Sequence, residues 1–219
     1  MWNTSKDDIQ QNARFIRAFF FAKCTFKCAR IGGILEGVSN REGGAHMQSS
    51  ADMTCCFTGH RPGHGGIRYV EGEAAYEALL DVLDRAILEI CEQGARNFLC
   101  GMADGFDLVA AKRVLALRRT GRLPEDVHLI AVQPFPEHVQ TIRGMRWQKD
   151  YDEVLQCADD VCVVCKEFHK DAYRQRNVFM VERSAWVIAF WNGVKRSGTG
   201  QTVRMAEGLE RTVVNIYGI

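Results

Sequence analysis

The chain has 219 residues, 47% of them hydrophobic and 25% charged, enough for one sizeable domain with its own core or for a domain and a tail. A formal net charge of +1 gives no global field to draw in nucleic acid or an anionic membrane, and no apolar run is long enough to span a bilayer. The nine cysteines, an odd number, lie mostly inside apolar runs. They read as small core residues in a reducing, cytoplasmic setting rather than as a secreted disulfide framework.

Residues 1–52 do not match the rest of the chain. The apolar run from Phe15 to Phe21 is broken by Arg17, residues 39–50 have no periodicity, and no signal-peptide cleavage pattern is present. Cys24 and Cys28 have no partner pair nearby. Glu42-Gly43-Gly44 can be encoded by codons that contain a bacterial ribosome-binding site, and Met47 lies at a suitable distance beyond it. The expectation is an atypical tail, either disordered or a mis-assigned gene start, with a basic amphipathic arm as the competing reading. The domain then covers residues 53–219.

Within the domain, strands and helices alternate. Residues 54–57 predict a first strand, and residues 71–92 a helix with Tyr76, Leu79, Leu83, Ile87 and Ile90 on one face and Gly94 as its stop. A second strand over 97–100 leads into Gly101-Met102-Ala103-Asp104-Gly105-Phe106-Asp107, with Asp104 as the candidate N-cap for a helix running to about Arg119. Next come a third strand over 127–132, a helical region through Tyr151 and Val154, and a fourth strand over 160–165. Cys162 and Cys165 have redox or zinc spacing, but within a strand that spacing sends the thiols to opposite faces. A helix over 172–183, an apolar strand over 186–191 buried on both faces, a glycine turn, a helix over 201–211 and a last strand over 212–217 complete the chain.

This alternation predicts a three-layer, Rossmann-like α/β domain, with a mostly parallel sheet and helices on both faces. Right-handed crossovers put every strand-to-helix loop at one edge, where open α/β sheets bind ligands. The residues with chemistry to offer fall in those loops or in the first turns of the helices: Thr58, Gly59, His60 and Arg61; Gly101 to Asp107; Gln133, Pro134, Phe135 and Pro136; Tyr173 to Asn177, with Arg176 and Asn177 as the candidate contacts; and Ser197, Gly198, Thr199, Gly200, Gln201 and Thr202. Strand, glycine turn and helix N-terminus make an anion site, because unpaired N–H groups and the helix dipole both favour negative charge. The alternative is a tight connection with no ligand. A phosphate-loop NTPase is disfavoured, because Gln201 stands where that loop needs lysine. His60 and His64 share a loop but lack a third ligand, so no metal site is expected. Asp104 serves either as a cap or on a ribose, and Asp107 suits the helix dipole in either case.

Thr58-Gly59-His60-Arg61-Pro62, Gly101 to Asp107, and Arg176-Asn177-Val178-Phe179-Met180 through Ser197-Gly198-Thr199-Gly200 together resemble the YpsA family of the SLOG superfamily. The resemblance spans Met53 to the C-terminus. It implies a Rossmann-like fold, a site for a small-molecule ligand such as a nucleotide, NAD or an ADP-ribose derivative, and often a homodimer; no cofactor is expected to be required. The same superfamily holds the Lonely-guy phosphoribohydrolases, whose signature pairs arginine with lysine ahead of methionine and places a catalytic glutamate after a Gly-Thr loop. Here Asn177 replaces the lysine, Thr202 stands at the glutamate, and Ala185 occupies a usual aspartate position. No catalytic residue is therefore assigned, and the expected activity is binding, in a sensor or regulatory module. Phosphate would lie on Arg176 and the amides of residues 198–201, hydroxyl contacts on Thr58, Asp104 and Thr202, and a base against Phe106. The alternative is an N-glycosidic hydrolase or transferase with Asp104, Asp107, Glu182 or Glu207 as its acid. A nucleic-acid module like DprA is the third reading and would need the cluster Arg113, Arg118, Arg119 and Arg122 as a basic face.

Overall fold

The structure, a computed structural model, describes residues 50–218. The expectations for residues 1–49 lie outside the described residues, and Ser50–Met53 forms a short 3-10 turn that leads into the sheet. Six strands, β1 (Thr54–Gly59), β2 (Asn97–Cys100), β3 (His128–Gln133), β4 (Asp160–Val163), β5 (Trp186–Phe190) and β6 (Thr212–Asn215), alternate with five α-helices. These are α1 (Ala74–Glu92), α2 (Phe106–Arg119), α3 (Met145–Cys157), α4 (Ala172–Glu182) and α5 (Gly198–Gly208). The sheet order is β4-β3-β2-β1-β5-β6, and every pairing is parallel, so the expected α/β class holds with a sheet that is wholly rather than mostly parallel.

Burial explains the strand sequences. The first five residues of β1 and all of β2 are sealed, and β5 is sealed after Trp186, which is why these segments are apolar without alternation. Helices α1, α2 and α3 pack side by side, as do α4 and α5. Right-handed crossovers put the first group on one face and the second on the other.

The topology also positions a site. The chain builds outward from β1 to β4, then crosses back to lay β5 on the other side of β1. At such a reversal the loops leaving the two strands diverge and open a crevice. The last pair of this ladder is Gly59 with Phe190, so the residues after them border the opening. Among the described residues, no helix is long and apolar enough to cross a membrane.

Candidate functional site

The loop after β1 is locked to the loop after β5. His60 is buried, and its Nε2 accepts the Asn192 N–H at 3.1 Å. Its carbonyl accepts the Tyr69 hydroxyl at 2.6 Å and the Phe106 N–H at 3.2 Å. Burial lowers the imidazole pKa, which keeps Nε2 free as an acceptor. Arg61 lies out at the mouth, 5.8 Å above the Tyr173 ring and 3.5 Å from the Asp104 carboxylate.

The loop after β2 departs from expectation in two ways. Asp104 is not the N-cap of α2: Gly105 is, at φ 91, with no side-chain cap. A Cβ at Gly105 would press to 2.7 Å from the His60 carbonyl, so this backbone packs where only glycine fits. Asp104 turns instead towards Arg61. Phe106 offers no face to a base. It is fully buried, stacked on Phe190 at 5.6 Å and edge-on to Phe57 at 6.5 Å. Met102 is also sealed, with a left-handed backbone at φ 60 and its N–H on the Cys100 thiol.

Asp107 and Arg176 meet beneath this loop, with Oδ2 and Nη1 3.7 Å apart and both residues buried. Burial raises the pKa of Asp107, opposed by the Arg176 charge and the Ala103 N–H. Burial lowers that of Arg176, opposed by Asp107. The Arg176 Nε and Nη1 are sealed and have no hydrogen-bond acceptor among the described residues. Gly101 makes room for the pair, since a Cβ there would overlap Nη1 and lie 2.6 Å from the Asp107 Oδ2.

Helix α5 begins three residues earlier than its sequence suggests. Ser197 is the N-cap: its Oγ accepts the Gly200 N–H at 3.0 Å and donates to the Val194 carbonyl at 2.7 Å. The Gln201 N–H is taken by the Ser197 carbonyl at 2.9 Å. The expected cradle of residues 198–201 therefore narrows to the Gly198 and Thr199 amides, which have no acceptor among the described residues. Gln201 is exposed on the helix, and Gly200 is wedged under the Val194 carbonyl. Thr202 is sealed, donating to the Gly198 carbonyl at 3.1 Å and accepting from the Asn177 Nδ2 at 3.0 Å.

These pieces enclose a cavity of about 520 Å³ at the β1–β5 reversal. It gathers Thr58, Gly59, His60, Arg61, Ala103, Asp107, Arg176, Asn177, Ser197, Gly198 and Thr199 from the expected set. Gly101, Met102, Asp104, Phe106, Pro134, Gly200, Gln201 and Thr202 do not line it. Pro134 is buried at the exit of β3, where its carbonyl accepts the Cys165 N–H at 3.0 Å. Tyr173 from the expected loops lines the cavity as well, with Phe57, His64 and Gly65, and Asn192, Val194 and Arg196 are the lining residues that the sequence does not single out. Of these, Arg196 carries a legible signal, since it immediately precedes Ser197 in the same turn.

The lining carries three arginines, Arg61, Arg176 and Arg196, against the single carboxylate of Asp107. Such a cavity suits an anion. Among the described residues, no group of three or more histidine, cysteine or acidic side chains converges to hold a metal. Elsewhere, Arg113 chelates Asp84 at 2.7 and 2.5 Å, Arg118 chelates Asp159 at 2.5 and 3.1 Å, and Arg122 lies 3.5 Å from Asp84. Three members of that arginine cluster are thus paired with acids.

A family model described as the YspA SLOG family (YpsA) matches residues 55–215, a span that includes all six strands except Thr54 at the start of β1, and the whole cavity lining. No curated protein matches the chain at a significant level.

Proposed function

The chain belongs to this SLOG family, and we propose that it binds a phosphorylated nucleotide or nucleotide derivative, of the NAD or ADP-ribose kind, as a sensor or regulatory module. Family membership already points to nucleotide-related function. The observation that carries the finer reading is Arg176, a buried guanidinium with two unsatisfied nitrogens at the wall of the cavity. A buried donor left unpaired is costly, and a phosphate offers oxygens in the planar spacing that a guanidinium matches. The Gly198 and Thr199 amides at the start of α5 supply a second set of donors. Arg61 and Arg196 add positive charge at the exposed side of the opening. A cytoplasmic location and a homodimer complete the proposal.

The test is a thermal-shift panel of AMP, ADP, NAD and ADP-ribose against wild type and Gly198→Asp. Nothing lies within 4 Å of a Cβ at Gly198, and an acid in the first turn suits the helix dipole, so the variant folds. Its carboxylate occupies the anion position. A ligand at about 100 times its Kd stabilises wild type by about 2.7 kcal/mol. A panel that shifts neither protein, or both equally, overturns the assignment.

One observation favours a second reading, N-glycosidic cleavage. Asp107 is the carboxylate that lines the cavity, and burial raises its pKa, the direction that general-acid work requires. Thr202, at the position of the Lonely-guy glutamate, spends its hydroxyl on Gly198 and Asn177. Chromatographic detection of free base after incubation with nucleoside monophosphates or NAD, lost in Asp107→Asn, would select this reading over pure binding.

A further inference from the structure

The hydrogen bonds of Thr202 determine which end of the Asn177 amide meets the cavity. A threonine hydroxyl has one proton. That proton goes to the Gly198 carbonyl one turn back on α5, at 3.1 Å. The oxygen can then only accept, and it takes the Asn177 Nδ2 at 3.0 Å from across the α4–α5 contact. That bond uses one of the two Nδ2 protons and fixes the rotation of the amide, with Nδ2 turned towards α5 and Oδ1 on the other side as an acceptor for the cavity that this half-buried residue lines. A lysine here would present a cation, and an unrestrained asparagine could present either end.

We infer that Asn177 is a hydroxyl-reading residue and that Thr202 is the residue positioning it. The inference rests on the nucleotide reading above and specifies how that site selects its ligand. Asn177 comes directly after Arg176 on α4, so the ligand group it meets neighbours the anion. A second phosphate or a carboxylate would be repelled by Oδ1, whereas a sugar hydroxyl donates to it. In a nucleotide the sugar is what adjoins the phosphate. The site therefore prefers ribose phosphates to their deoxy counterparts.

The experiment is titration calorimetry of AMP, 2′-deoxy-AMP, 3′-deoxy-AMP and inorganic phosphate into wild type, Thr202→Val and Thr202→Ser. Wild type is expected to prefer AMP to at least one deoxy analogue by roughly tenfold, the worth of one hydrogen bond. Thr202→Val loses that preference, Thr202→Ser retains it, and inorganic phosphate binds all three proteins alike. If Thr202→Val does not fold, Asn177→Leu replaces it, with the same loss expected. Equal binding of AMP and both deoxy analogues by wild type, or an unchanged preference in Thr202→Val, overturns the inference and leaves the nucleotide reading standing. A wild type that binds none of the four probes overturns this inference, while the nucleotide reading falls only if ADP, NAD and ADP-ribose also fail to shift its melting.

Discussion

The Arg176 Nη1 lies 3.7 Å from the Asp107 Oδ2, in a buried pair that leaves the guanidinium's Nε and Nη1 without hydrogen bonds. The pair is close enough to hold the charges together, yet it does not satisfy them. Removing one partner strands the other. Arg176→Met is predicted to abolish ligand-induced stabilisation and to cost roughly 3–5 kcal/mol in equilibrium unfolding at neutral pH. Burial already raises the Asp107 pKa, and losing Arg176 raises it further. A carboxyl whose folded pKa exceeds its unfolded value favours the fold once protonated, so the deficit shrinks as pH falls through the folded pKa. A deficit that stays constant with pH would show that the two charges are not coupled.

Gly101→Ala tests the same pair from the other side. The added methyl would overlap the Arg176 Nη1 and crowd the Asp107 Oδ2, and overpacking of this kind costs about 1–3 kcal/mol. The variant is expected to lose ligand binding although Gly101 does not itself line the cavity. Unchanged melting and unchanged binding would mean that the guanidinium has room to move aside.

The histidines predict how stability depends on pH. His138 is sealed among Phe135, Tyr151 and Tyr173, and burial together with the charges of Arg176 and Arg61 lowers its pKa to about 3. His60 is lowered in the same direction, mainly by burial. A histidine whose folded pKa lies below its unfolded value stabilises fully above the unfolded pKa of about 6.5, and that contribution drains away as pH falls. His138→Phe removes one such proton. Its unfolding free energy should lose the wild-type slope by about 1.4 kcal/mol per pH unit between pH 6 and 4. At pH 7.5 the variant loses the long 3.5 Å contact between the Tyr151 hydroxyl and His138 Nδ1 but also the buried, unpaired Nε2. The hydroxyl still accepts from the Gln133 Nε2 at 2.6 Å, so the change at that pH should be small beside the loss of slope. Matching slopes in urea titrations would refute the assignment.

Phe106 separates packing from recognition. Phe106→Ala is predicted to cost about 3–5 kcal/mol of stability, because it empties the contact with Phe57 and Phe190. A base-stacking residue would instead lose affinity and leave the urea midpoint in place.

Phe106 also marks the limit of what sequence alone reveals. Strand and helix alternation is readable because buried parallel strands are apolar on both faces, and the loop motifs after β1, β2 and β5 are readable from their glycines and polar residues. Orientation is not. The partners that seal Phe106 come from β1 and β5, remote in sequence, and nothing near residue 106 announces them. Asp104 resembles a cap because caps are chosen by residue type. The tie from the Phe106 N–H to the His60 carbonyl, which moves the helix start, is tertiary. Thr202 has the chemistry of a ligand contact, but its hydroxyl is consumed inside the protein by Gly198 and Asn177.

The most direct measurement is a crystal structure grown with whichever of AMP, ADP, NAD or ADP-ribose gives the largest thermal shift. Phosphate density is predicted beside the Arg176 guanidinium and the Gly198 and Thr199 amides, at charge-assisted hydrogen-bond distances of about 2.7–2.9 Å. Density for the ligand elsewhere on the molecule, with the cavity bordered by the loops after β1 and β5 holding only water, would contradict the assignment.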